Sequence, residues 1–154
     1  MTEGAVPGAA AFRETGIMIA KPPSSMAGSI AISTGDAIID ADHAAFEVLI
    51  DEASTADDAR LGTALARLRR HLVEHFEQED VMMAETAFPA AVFHRGDHDK
   101  VLDRIDAAIA DNAMGNRRAV RAFLEDELPV WFVGHVATLD AVTVHWARTG
   151  LLGF

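Results

Sequence analysis

The chain has 154 residues, half of them hydrophobic, which is enough apolar sequence to build the core of one domain. It carries 13 basic and 24 acidic residues, and the net charge of -11 argues against non-specific binding to nucleic acid or to an anionic membrane surface. Cysteine and tyrosine are absent, which excludes disulfides, thiolate metal ligands, cysteine nucleophiles and tyrosyl chemistry.

Residues 1–35 are rich in Gly, Ala, Pro and Ser and predict an irregular N-terminal arm. No basic segment followed by a long apolar run opens the chain, and no apolar run reaches about 18 residues. We therefore expect neither a secretory signal nor a membrane span, and we expect a cytoplasmic location. Residues 36–154 are predicted to form the folded domain.

From residue 36 onward, apolar residues recur every three or four positions, which predicts four amphipathic helices. Asp36 or Asp40 is the expected N-cap of the first helix, and Asp57 that of the second. The predicted ranges are about 37–53, 58–84, 89–112 and 116–149. Short connections make neighbouring helices antiparallel, so the predicted fold class is all-α, an up-down-up-down antiparallel four-helix bundle with an irregular N-terminal arm.

Several polar side chains occupy positions of the apolar stripes where Leu or Ile is expected. They are His43, His75, Glu79, His94, His98 and His135. Burying imidazoles and carboxylates together is costly unless a cation compensates, and each predicted helix contributes at least one of these residues. The pairs His75/Glu79 and His94/His98 are spaced i, i+4, so each pair projects from one helix face. The pattern indicates a metal site inside the bundle.

The number of candidate ligands exceeds what one tetrahedral zinc ion takes, and two metal ions that share carboxylates would use them all. Nitrogen and carboxylate ligands without sulfur suit iron or manganese, and also zinc or copper. The site of ferritin-like di-iron bundles is excluded because the sequence has no Glu-x-x-His motif. The residues alone therefore predict a dinuclear centre and leave the metal open.

At these residues the chain resembles the single-domain bacterial hemerythrins. The resemblance spans about residues 37–146, with the family's motifs in the family's order. The matching motifs are Ile39-Asp40-Ala41-Asp42-His43 with Phe46, His75-Phe76-x-x-Glu79, His94-x-x-x-His98 and Trp131-x-x-x-His135-x-x-x-x-Asp140.

The resemblance implies two iron ions joined by an oxo or hydroxo bridge, with dioxygen as a reversible ligand. One iron would be held by His94, His98 and His135, and the other by His43 and His75 with one position open. Glu79 and Asp140 would bridge the two ions. The dioxygen pocket would be lined by Phe46, Phe76, Trp131, Phe132 and Thr138, and the family usually has Leu where this chain has Phe132.

Three features of the fourth helix raise further expectations. Asp140 follows His135 by five residues, which is about 140° round an ideal helix, so either its side chain reaches in from the flank or the helix contains a π-type distortion. Pro129 predicts a kink before the ligands. If the hydroxyl of Thr138 faces the irons, it would make the pocket less dry and autoxidation faster.

The function implied by the resemblance is non-enzymatic storage, delivery or buffering of dioxygen. The alternatives are an oxygen or redox sensor, a di-iron oxidase or peroxide-handling enzyme, and a protein that binds iron or zinc without dioxygen chemistry. We expect no nucleic-acid or membrane partner, and a protein partner for delivery or signalling is left unidentified. His71 is expected to be a partly exposed residue near the end of the bundle, with an outer role at the site as the alternative, and His145 a surface residue.

Overall fold

A computed structural model describes residues 33–151, and most of the predicted arm (1–35) lies outside this range. Helix α1 spans Ala37–Thr55, α2 spans Asp58–Glu85, and α3 spans Ala91–Ala113. A fourth helix, α4, runs over 117–149 in consecutive segments without a break. Residues 33–151 contain no strand, so the predicted all-α class is confirmed. Within the same range no helix is long and apolar enough to cross a membrane.

Side-chain caps fix the starts of the first two helices. Asp36 accepts hydrogen bonds from the backbone N–H groups of Ile38 and Ile39, and Asp57 accepts one from Arg60. Asp40, the alternative cap, instead accepts from Ser33 and Thr34 and holds the preceding turn against the helix.

Contacts between neighbouring helices show that they run antiparallel. Near the turn between α1 and α2, Arg67 donates to Glu52, and further from that turn Gln78 donates to Asp42. The same order holds between α2 and α3, where Arg95 pairs with Asp80 near the turn and Arg69 pairs with Asp106 far from it. Helix α4 packs against both α3 and α1, which closes the bundle.

The interior of the bundle divides into an apolar half and a polar half. The apolar half lies toward the α1–α2 and α3–α4 turns and is filled by residues such as Ile50, Leu65, Ile105 and Leu124, each almost fully buried. The opposite half holds the buried histidines and carboxylates. Burial of the apolar half supplies the hydrophobic free energy that stabilises the fold. The polar half contributes less of this free energy, because its interior positions are occupied by the histidines and carboxylates of the site.

Helix α4 contains two π-helical segments, Phe123–Glu127 and Val136–Asp140. The first directly precedes the α-helical segment Leu128–His135, where Pro129 occupies one of the first two positions. The start of an α-helical segment tolerates proline, since the N–H groups there lack α-helical partners. The structure thus places a π turn directly before Pro129, and the kink expected there stays a prediction.

The second π segment resolves the spacing between His135 and Asp140. A π turn holds one more residue than an α turn, so Asp140 returns to the inner face and is fully buried. A regular α-helical period predicts that the inner face continues beyond His135 through Leu139, Val142 and Trp146, but these residues are only partly buried. The extra residue shifts that face, and the fully buried residues beyond His135 are Val136, Asp140, Thr143 and Val144.

Deletion of Thr138 tests whether the π segment is one residue inserted into an α-helix. We expect the deletion to restore α-helical geometry, to keep the residues on either side in phase, and to change the free energy of unfolding by less than about 2 kcal/mol. Deletion of Asp103, exposed within the regular helix α3, is the control. It rotates Ile105 and Ala108 out of the core and should cost about 2–5 kcal/mol for the isoleucine alone. Equal losses in urea denaturation would contradict the interpretation.

Candidate metal centre

The structure brings all seven predicted ligands together inside the polar half of the bundle, each at most 5% exposed. Their ligand atoms form two sets, and within each set all atoms lie within 4.8 Å of one another. One set combines Glu79 and Asp140 with His94, His98 and His135, which we call the three-histidine group. The other combines the same two carboxylates with His43 and His75, which we call the two-histidine group. All four helices contribute.

The imidazoles of the three-histidine group point their Nε2 atoms at one another. The Nε2 atom of His135 lies 3.2 Å from that of His94 and 3.1 Å from that of His98. Nitrogens bound at right angles to one ion at a metal–nitrogen distance of about 2.1 Å would be roughly 3 Å apart. The spacing therefore fits three ligands of a single cation.

The two carboxylates lie between the two groups. Asp140 places Oδ1 3.0 Å from Nε2 of His135 and Oδ2 3.1 Å from Nε2 of His43. Glu79 places Oε2 3.1 Å from Nε2 of His98 and 3.7 Å from Nε2 of His75. Each carboxylate thus faces a histidine of both groups, which is the arrangement expected of bridging ligands.

Buried polar atoms in this region lack hydrogen bonds. Both carboxylate oxygens of Asp140, Oε2 of Glu79 and Nε2 of His43 have none, although nitrogen–oxygen distances in the cluster are short. Unsatisfied buried carboxylates are costly, and a cation bound to them removes that cost. The donor set therefore fits two divalent cations with nitrogen and oxygen ligands.

Protonation within the cluster follows from burial and from the two carboxylates. Burial disfavours the charged form of His94, yet the carboxylates of Asp140 and Glu79 outweigh this effect and raise its pKa to about 9. Burial lowers the pKa of His75 and of His98, which keeps these rings neutral and able to bind a cation. Burial would raise the pKa of Asp140, but the facing histidines hold it below its ordinary value.

Three residues outside the cluster contact its histidines and were not predicted. Asp97 accepts a hydrogen bond from Nδ1 of His135 at 2.8 Å, and Thr143 shares one with Nδ1 of His94 at 2.8 Å. Asp42 places a carboxylate oxygen 3.5 Å from Nδ1 of His75. Asp42 and Asp97 each directly precede a ligand histidine in the sequence, which is the signal that could have drawn attention to them.

A small cavity adjoins the two-histidine group. The volume open to the centre of a water molecule is about 10 Å³, enough for one small molecule. Four of the five predicted pocket residues, Phe46, Phe76, Trp131 and Phe132, line this cavity together with His43 and His75. With Leu72, these rings make five of the nine residues that line the cavity apolar.

Phe132 is one of the aromatic residues that limit this cavity. Its ring meets that of His43 edge-on, with centroids 5.5 Å apart, and that of Phe46 at 4.9 Å. The side chain is 7% exposed, so it fills space between the two-histidine group and the apolar half of the bundle. A smaller residue at this position would leave a larger cavity.

The predicted place of Thr138 in the pocket is wrong. Its side chain is exposed, and its hydroxyl donates to the backbone carbonyl of Gly134 at 2.7 Å. The one-residue shift of the π segment turns this position outward. The expectation that Thr138 exposes a bound ligand to a hydroxyl therefore loses its structural basis.

His71 is partly buried and contacts residues next to the ligands. Its Nε2 atom lies 3.0 Å from the backbone carbonyl of Asp42, and its ring stacks on Phe46 with centroids 6.0 Å apart. This contact ties α2 to α1 beside His43, which favours the alternative outer role over that of a bundle-end surface residue. His145 is exposed, as expected.

Comparison with known proteins gives two matches and one negative result. Residues 34–146 match the family model described as the hemerythrin HHE cation binding domain. A bacteriohemerythrin from Ralstonia nicotianae is 37% identical over 123 residues, covering 77% of this chain and 85% of the relative. No solved structure matches the chain.

Metal binding should depend on pH because a protonated histidine cannot bind a cation. Since the pKa of His94 is about 9 in the metal-free protein, a proton must leave this ring at neutral pH before a metal binds. We expect the apparent affinity for Zn²⁺ to fall as pH is lowered from about 9 to about 7, by about tenfold per pH unit for each proton released. Calorimetry in two buffers of different ionisation enthalpy counts the protons, and binding without proton release would contradict the assignment.

Proposed function

Because the chain belongs to the hemerythrin family, we propose that it holds two iron ions and binds dioxygen reversibly, for storage, delivery or buffering. His94, His98 and His135 would hold one ion, and His43 and His75 the other. Glu79 and Asp140 would join them. An oxo or hydroxo bridge completes the proposed centre, and the bound ferrous ions would supply the electrons by which dioxygen is held reversibly.

The observation that carries this proposal is the position of the cavity. Both histidines of the two-histidine group, His43 and His75, line it, whereas His135 is the one histidine of the other group that does. The two-histidine group also offers fewer nitrogen ligands and therefore has more room for a further ligand. The volume of the cavity is about that needed for one water molecule, and its wall is mainly aromatic. These features support binding of a small apolar gas at one of the two ions.

The surrounding side chains also support binding rather than turnover. Phe46, Phe76 and Phe132 exclude water from the cavity, which slows proton delivery to a bound molecule. Asp140 is the acid among the lining residues, and it faces histidines of both groups. With its pKa below the ordinary value, it is not a proton donor at neutral pH. A cytoplasmic location and the division into an arm (1–35) and a bundle domain (36–154) stay predictions.

An anaerobic reduction followed by exposure to air tests the function. We expect two iron atoms per chain and a visible spectrum that changes on exposure to air and reverts when dioxygen is removed. His75→Ala should lower the iron content, whereas His145→Ala, a change at an exposed histidine, should not. Irreversible oxidation without a reversible phase would instead favour an oxidase or peroxide-handling enzyme. Purification without iron would favour a protein with no dioxygen chemistry.

The size of the cavity predicts a second result. Phe132→Leu removes part of the ring that separates His43 from Phe46 and should admit larger ligands. We expect azide, a linear anion one atom longer than dioxygen, to bind the oxidised protein about tenfold faster, measured by stopped-flow absorbance, at a stability cost of about 1–2 kcal/mol.

Phe123→Leu is the matched control, since Phe123 is also buried in α4 but does not line the cavity. It should lower stability by a similar amount and leave the azide rate unchanged. Equal rates in the two variants would show that Phe132 does not limit entry.

A further inference from the structure

The two halves of the centre differ in the hydrogen bonds made by Nδ1 of their histidines, the ring nitrogen that points away from the other ligands. In the three-histidine group, Nδ1 of His135 is bonded to Asp97 and Nδ1 of His94 to Thr143, each at 2.8 Å. In the two-histidine group, Nδ1 of His43 is buried and has no hydrogen-bond partner. Nδ1 of His75 makes no hydrogen bond either, and the carboxylate behind it, that of Asp42, lies at the longer distance of 3.5 Å. The three-histidine group is therefore the more rigidly oriented of the two.

Of the contacts made by Asp97 and Thr143, the one made by Asp97 involves a carboxylate and so brings a negative charge to the ring. One oxygen of its carboxylate accepts hydrogen bonds from both Nδ1 of His135 and Nε1 of Trp131, each at 2.8 Å. The Trp131 ring also stacks on His135, with centroids 4.7 Å apart. One side chain of α3 thus fixes two side chains of α4.

The Asp97 contact determines which nitrogen of His135 can bind a cation. A carboxylate accepts hydrogen bonds and does not donate them, so the proton of the neutral ring is on Nδ1. Nε2 then carries a lone pair directed at His94 and His98. A negative charge behind the ring also makes Nε2 more basic, which strengthens its bond to a metal.

The carboxylate ligands do not distinguish the two halves. Glu79 and Asp140 belong to both sets, so the halves differ in their nitrogen ligands, three against two. The half with more nitrogens also has two of its three rings, His94 and His135, oriented by hydrogen bonds before a cation arrives. Less ordering is then needed on binding, and the affinity is higher.

We propose that Asp97 is a positioning residue that orients His135 and makes the three-histidine half of the centre take up a divalent cation before the two-histidine half. This inference rests on the proposed dinuclear centre and adds the order in which it fills. A singly loaded protein, with one cation on His94, His98 and His135, is then a stable species at limiting metal.

Titration of the metal-free full-length chain with Zn²⁺ tests this order. The imidazole nitrogens, assigned by single-histidine variants, are followed by nitrogen-15 NMR. We expect the first equivalent to shift the signals of His94, His98 and His135, and the second those of His43 and His75. The indole N–H of Trp131 should move with the first equivalent. That of Trp146, which donates to the carbonyl of Thr86, should stay in place.

Substitution of Asp97 tests the cause of the order. Asp97→Asn should weaken the first step by about 10–100-fold and leave the second within about threefold. Asp97→Glu, which keeps the carboxylate, should restore part of the loss. The matched control is Asp106→Asn, since Asp106 also lies on α3 and also accepts two hydrogen bonds, both from Arg69. It should leave both steps unchanged.

Several outcomes would overturn the inference. They are uptake of both ions in one cooperative step, a first equivalent that shifts His43 or His75, and an Asp97→Asn variant that matches Asp106→Asn. The total uptake separates this inference from the function on which it rests. Two Zn²⁺ per chain in the wrong order would refute only the order, whereas fewer than two would refute the dinuclear centre itself.

Discussion

Burial of two carboxylates side by side is the constraint on which this structure depends. Glu79 is 1% exposed and Asp140 is fully buried, and like charges at such a distance from water are costly unless positive charge compensates them. All the ligand histidines turn their Nε2 atoms toward these oxygens, and all four helices are needed to bring them there. The need to compensate these two buried negative charges therefore determines how the polar half of the bundle is arranged.

The rest of the fold meets the cost of that arrangement. Leucines of α2 and facing residues of α3 and α4 fill the apolar half. Asp97 and Thr143, which lie outside the ligand cluster, form hydrogen bonds with Nδ1 of His135 and of His94. Phe76 lies flat on His98, with ring centroids 3.6 Å apart, and so joins the apolar half to the ligands. Aromatic rings thereby form the boundary between a hydrophobic core and a charged one.

Much of this could be predicted from the sequence, because each ligand interrupts an otherwise apolar stripe. The helices, their caps and the cluster of ligands follow from such local patterns. Which residues of α4 face the bundle interior beyond His135 could not be predicted from the sequence. The π turn adds one residue there, and the α-helical period of about 3.6 residues does not account for it. Thr138 was misplaced for that reason. Asp97 and Thr143 were missed because each pairs with a histidine of another helix, and that pairing depends on tertiary packing.

The division of the interior into two halves also bears on how the molecule moves. Local opening is easiest where few apolar contacts hold the backbone, and the half that contains the histidines has fewer of them. The start of α1 and the end of α4 lie in that half. A bound cation would tie these helix ends to α2 and α3 through His43 and Asp140. Metal occupancy would then reduce fraying more at the end of the bundle that holds the histidines than at the apolar end.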